Sequence, residues 1–134
     1  MTLVRTSEYG NIRLNENIFA RIILDAIAQT DEKFMCSSEK GKILGGLDSR
    51  VSVGELLPHI VIKETETEYC LDFYIVMAFG TSIRNNCKVV LDYIEKEMHS
   101  MLPDKGGRIL LKIVGVKSKR VAARSIEVVR KYEP

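Results

Sequence analysis

YCLDFYIVMAFGTSIRNNCKVVLDYIEKEMHSML, residues Tyr69 to Leu102, is the stretch on which the fold turns. Its first half alternates: Tyr69, Leu71, Phe73, Ile75, Met77 and Phe79 share one face of an extended chain, because successive side chains of a strand flip sides. The opposite face, Cys70, Asp72, Tyr74, Val76 and Ala78, is mixed in character. Gly80 breaks the strand, and a hydroxyl from Thr81 or Ser82 can cap a helix. In that helix Ile83, Cys87, Val90, Leu91, Ile94, Met98 and Met101 recur at steps of three and four, which makes one apolar stripe. Arg84, Lys88, Asp92, Glu95 and Lys96 fall largely on the other side.

Working outward, the run NIFARIILDAIAQ predicts an amphipathic helix over about residues 15–29, with Asn15 as N-cap and Ile18, Phe19, Ile22, Ile23, Ala26 and Ile27 on one side. Ile12 and Leu14 share a face of a brief strand before it. Between Thr30 and Gly54 the composition is that of a loop, with Gly41, Gly45 and Gly46 among polar residues and room for a helical turn around Lys42–Leu44 or at Val53–Leu57. Ile60 and Ile62 begin a strand that returns through Glu66–Glu68 as a hairpin into residues 69–79. After Pro103 and the turn Asp104–Gly107, residues 108–116 (RILLKIVGV) form a further strand with Ile109, Leu111 and Ile113 on one face. The tail 117–134 suits a short amphipathic helix through Val121, Ala122, Ser125, Ile126 and Val129, although SIEVVRKY also serves as an edge strand. The order strand, helix, strand, strand, helix, strand predicts an α+β two-layer sandwich, with two helices on one face of a small mixed sheet. The domain is then residues 1–116, and 117–134 is a basic tail read as a short helix. The other sheet face, bearing Asp72, Tyr74, Arg108 and Lys112, is exposed or meets a partner.

At 134 residues the chain is of single-domain length and can bury a core without staples. Its net charge of +2 says little until it is divided. From Lys105 to Lys131 there are nine basic residues and one acid, Glu127, so that segment carries +8 and the remainder −6. Lys117, Lys119, Arg120, Arg124, Arg130 and Lys131 are therefore the candidate contacts for a partner or an anion. A nucleic-acid reading of this segment lacks the interleaved aromatics and the G-x-x-G loop that common modules use.

No catalytic, cofactor-binding or metal-binding constellation emerges. His59 and His99 are the only histidines and stand at no metal-ligand spacing. GKILGGL fails the phosphate-loop pattern, and Glu64, Glu66 and Glu68 read as a solvated hairpin tip. The cysteines Cys36, Cys70 and Cys87 are odd in number and lack a C-x-x-C spacing, which suits a reducing cytosol; Cys36 is expected to be the most accessible. Neither a signal-peptide pattern nor an apolar run of membrane-spanning length is found, so a cytoplasmic protein is expected.

Two stretches together resemble the alkaline shock protein family, an envelope stress-response family of Gram-positive bacteria. GNIRLNENIFARIILDAIA is similar to its opening strand-and-helix signature, and LDFYIVMAFGTSI to its central one, a hydrophobic strand ending in aromatic–Gly. Ile113, Val114, Gly115 and Val116 match the closing strand. DEKFMCSSEK departs from the family's glycine-and-valine turn, GKILGGL keeps part of the linker that follows, and the tail beyond Val116 has no family pattern. The resemblance implies a cytoplasmic, non-enzymatic interaction module without cofactor. It would act in envelope homeostasis through protein partners, some membrane-anchored, with homo-oligomers among the arrangements it allows.

Overall fold

The computed structural model describes residues 4–5, 12–13, 16–45 and 51–134. Two-residue strands β1 (Val4–Arg5) and β2 (Ile12–Arg13) pair only with each other. Then follow α1 (Glu16–Ala28), β3 (Phe34–Cys36), α2 (Val53–Leu56) with a 3₁₀ turn Leu57–His59, β4 (Val61–Glu64), β5 (Glu68–Ala78), α3 (Ile83–Met101), β6 (Gly106–Lys117) and β7 (Val121–Tyr132). The chain is α+β, with a mixed five-stranded sheet. The expected Asn15 cap lies outside the described residues.

Strand β5 is the axis of this sheet. One of its edges pairs parallel with β6, from Glu68↔Gly106 to Ala78↔Lys117. The other edge is shared by two short antiparallel strands, β4 against Tyr69–Asp72 and β3 against Ile75–Met77. A parallel pair needs a crossover, and α3 supplies it. Ser82 starts that helix by accepting the Asn85 backbone N–H at 3.2 Å. Its stripe Cys87, Val90, Leu91, Ile94 and Met98 joins Phe19, Ile22, Ile23 and Ala26 of α1 in one core with Leu71, Phe73, Ile75, Ile109, Leu111 and Ile113. Each of those six strand residues is no more than 1% exposed.

Several expectations are corrected. Residues 121–132 are not a helix but strand β7, antiparallel to β6 through ten paired positions. The tail therefore extends the sheet. Ile126, Val128 and Arg130 are half-buried on the core side, while Glu127, Val129 and Lys131 face outward, so the period is two. The sheet gains β3 and β7 but lacks the expected first strand, since β2 pairs only with β1, so five strands stand where four were expected, and three α-helices are found among the described residues. Phe79 does not join the core row: the strand ends at Ala78, and the ring, 77% exposed, sits in a turn where strand alternation no longer applies. Met101, at the last position of α3, is likewise 44% exposed.

Candidate interaction surfaces

The groups best suited to chemistry are held in structural roles. Cys36 is not accessible as expected; it lies at 4% exposure on the core side of β3, and burial pushes its thiol up to about 12. Burial pushes Cys87 up to about 11, while burial and then the neighbouring Glu68 carboxylate raise Cys70. A thiol so shifted stays protonated at neutral pH and is a poor nucleophile. His99 closes α3, its Nε2 2.6 Å from the Glu133 carbonyl oxygen and its ring edge-on to Tyr132 at 5.0 Å. His59 ends the 3₁₀ turn. Among the described residues no three His, Cys, Asp or Glu side chains form a group able to hold a metal ion.

Glu64 is also relocated. It is not a solvated tip residue but pairs with the Lys105 ammonium, both side chains being nearly buried. Lys105 also donates to the Thr65 carbonyl at 2.8 Å and stands 5.0 Å from the centre of the Tyr69 ring, whose hydroxyl donates to Asp104 at 3.0 Å. This cluster ties the β4–β5 hairpin to the start of β6. A spacing of 41 residues between the paired charges left no trace in a local reading.

The six cations singled out in the sequence separate into three places. Arg130 turns toward α3 and its guanidinium lies 3.0 Å from both Asp92 and Glu95. The Asp92 carboxyl, bonded first by Lys88 and then by Arg130, is held below the usual carboxylate range. Lys131 lies on the outward face of β7, opposite Arg108. Lys117, Lys119, Arg120 and Arg124 stay together at the β6–β7 hairpin, all exposed and none in an ion pair among the described residues. The tip is closed by the Ser118 N–H donating to the Arg120 carbonyl, and the Phe79 N–H reaches the Lys117 carbonyl at 2.8 Å. The exposed Phe79 ring thus belongs to the same corner, which the alternation of β5 had assigned to the core.

The strand register lays out the outward face of the sheet in rows. One row is Lys63–Cys70–Arg108–Lys131, the next Val61–Asp72–Leu110–Val129, and the third Tyr74–Lys112–Glu127, closed by a 3.5 Å ion pair. Val61 and Val129 are 49% and 51% exposed, with Leu110 half-buried between them. A solvated face of an antiparallel or mixed sheet ordinarily carries polar residues there. Here the row keeps one acid, Asp72 on β5, between the exposed Val61 and the Leu110–Val129 pair, and it lies beside a row that carries three cations.

Two hollows complete the surface. A cavity of about 1070 Å³ is lined by Leu24, Ile27, Phe34 and Leu44, and its rim carries charges of both signs, Arg21 and Lys117 beside Asp31 and Glu32. A smaller one of about 340 Å³ lies between α1 and α3 over Ile18, Ile22 and Met101. Among the described residues no helix is long and apolar enough to cross a membrane. No family model, curated protein or solved structure matches the chain.

Proposed function

We propose that this protein is a non-enzymatic, cytoplasmic protein-interaction module of the alkaline shock type, acting in cell-envelope homeostasis through protein partners, some of them membrane-anchored. Its docking surface is the outward face of the mixed sheet, in a two-layer arrangement with α1 and α3 on the opposite side. The observation that carries this reading is the cross-strand row Val61, Asp72, Leu110 and Val129, with exposed valines at both ends, one acid within it, and Lys63, Arg108 and Lys131 along one border. Exposed apolar residues on the outer strands with cations along one border fit a partner whose apolar patch is edged by acidic residues.

The test is affinity recovery from the native cell, with nuclease treatment, using the parent chain and Leu110→Glu/Val129→Glu. A charge placed at the centre of an interface should lower recovery of the partner at least about tenfold. Equal recovery by parent and variant would remove the sheet face from consideration, and enzyme-like turnover by the purified chain would remove the non-enzymatic reading. A second reading rests on charge alone: the four hairpin cations, in no ion pair among the described residues, suit a nucleic-acid-binding module, which predicts salt-dependent retention lost in Lys119→Ala/Arg120→Ala/Arg124→Ala.

A further inference from the structure

We propose that the corner made by the Phe79–Gly80 turn and the β6–β7 hairpin tip is a contact site for an anionic lipid surface, independent of the sheet face. Phe79 is 77% exposed on a backbone that is firmly placed. Its N–H is bonded to the Lys117 carbonyl, and Gly80 follows at φ +80°, a conformation that favours glycine. Nothing in the core uses this ring. Val121, 38% exposed at the start of β7, pairs with Lys117 and lays its side chain over Gly115.

Lys117, whose carbonyl holds the Phe79 N–H, begins a run of exposed cations on this hairpin that continues with Lys119, Arg120 and Arg124. Each is exposed and has no carboxylate partner among the described residues; the Arg124 guanidinium donates only to the neighbouring Ala123 carbonyl at 2.8 Å. This differs from Lys105, Lys112 and Arg130 of the same basic segment, all neutralised by Glu64, Glu127, Asp92 or Glu95. An exposed ring beside a run of cations without ion pairs among the described residues matches the boundary of a charged bilayer. There the ring enters the acyl region while ammonium and guanidinium groups stay among the phosphates.

Shape decides against a nucleic-acid strand. Bases of a single strand need a groove and successive stacking rings, whereas a hairpin tip and a turn project from the end of the sheet and carry one ring. A flat surface can meet such a corner; a strand would find nothing to follow. Asp31 and Glu32, which share the cavity rim with Lys117, bound the site on the α1 side, so contact runs along the hairpin.

The chain has no tryptophan, so Phe79→Trp makes a unique reporter in the full protein. With vesicles of phosphatidylcholine containing about one third phosphatidylglycerol, its emission should shift to the blue and be quenched by brominated acyl chains, and pure phosphatidylcholine should do neither. Lys119→Glu/Arg120→Glu should lower sedimentation of the chain with the anionic vesicles at least about tenfold, as should raising the salt. Both variants alter exposed residues, so thermal melts should match the parent. Emission unmoved by anionic vesicles, or sedimentation indifferent to the charge reversal, would overturn the proposal. So would a single-stranded RNA oligonucleotide that bound the same residues more tightly than the vesicles did. Loss of partner recovery in the sheet-face variants alone would leave it standing, because those residues lie on a different surface.

Discussion

Tyr132 is 8% exposed, and its hydroxyl has no hydrogen-bond partner among the described residues. Burial, ahead of the nearby Tyr69 hydroxyl, raises its pKa well above the ordinary phenol range. An unpaired buried hydroxyl costs about 1–3 kcal/mol of desolvation. Tyr132→Phe should accordingly be neutral or stabilising by up to about 1 kcal/mol in urea unfolding, and a loss above about 1 kcal/mol would mean the hydroxyl has a role in the fold. The ring itself is seated over Gly107, where a Cβ would come within 2.5 Å of the hydroxyl and 2.7 Å of two ring carbons. Gly107→Ala should cost roughly 1–3 kcal/mol. That cost should persist in Tyr132→Phe, which keeps the ring carbons, and shrink in Tyr132→Leu; equal costs in both backgrounds would mean that the ring is not what excludes the methyl. The thiols give a second residue-scale expectation. Cys36 and Cys87 titrate near 12 and 11 in the folded chain against 9.0 for an ordinary thiol. Between pH 9.0 and about 11 the unfolded chain gives up thiol protons that the folded chain keeps, so the unfolded state binds fewer protons and stability falls as pH rises. The contribution is whole below 9.0 and lost as pH climbs through 11 and 12. Cys36→Ala/Cys87→Ala should flatten this alkaline decline; an unchanged slope would assign it to other groups.

Periodicity exposes an element to sequence reading when one of its faces is wholly buried. That holds for α1, α3, β5 and β6, whose apolar positions repeat cleanly. Phe73 is 1% exposed at the centre of β5, and Phe73→Ala should cost about 3–5 kcal/mol in urea unfolding. Tyr74→Ala, one residue along and on the outward face, should cost less than about 1 kcal/mol, and reversal of that ranking would reverse the faces of the strand. β7 was the harder case. Ile126 and Val128 follow a period of two, but Val121, Ala122, Ser125, Ile126 and Val129 also fit a helical stripe, and an edge strand with one open face supplies too few buried residues to choose. The ten pairings to β6 make the choice, and they are tertiary. β3 spans only three residues and escapes any window of period two. Of the candidate surfaces, sequence reading found the cations and named the open face, yet it could not find Phe79 in the hairpin corner or the partners of Lys105 and Arg130. Those contacts join segments some 35–41 residues apart.

The electrical asymmetry of the whole chain, +8 over Lys105–Lys131 against −6 elsewhere, is resolved by the fold into internal pairs and free charge. Lys105, Lys112 and Arg130 are tied to acids, which leaves Lys117, Lys119, Arg120 and Arg124 at the hairpin corner and Arg108 with Lys131 on the sheet face. These two sets lie toward opposite ends of β6 and β7: Arg108 pairs with Lys131, whereas Lys117 pairs with Val121. At about 3.3 Å per residue along β6, Lys117 stands roughly 30 Å from Arg108, and Arg124, opposite the bulge, about 20 Å from it, both well beyond the roughly 8 Å screening length at physiological ionic strength. The two surfaces should therefore behave additively. Lys119→Glu/Arg120→Glu should remove vesicle binding and leave partner recovery intact, while Leu110→Glu/Val129→Glu should do the reverse. Combining all four changes should give the sum of the two losses with no further drop in thermal stability. A four-site variant that lost more of either activity than its parent pair would show that lipid and partner are engaged together, as they would be if the partner were itself held in the membrane and the corner steered the sheet face toward it.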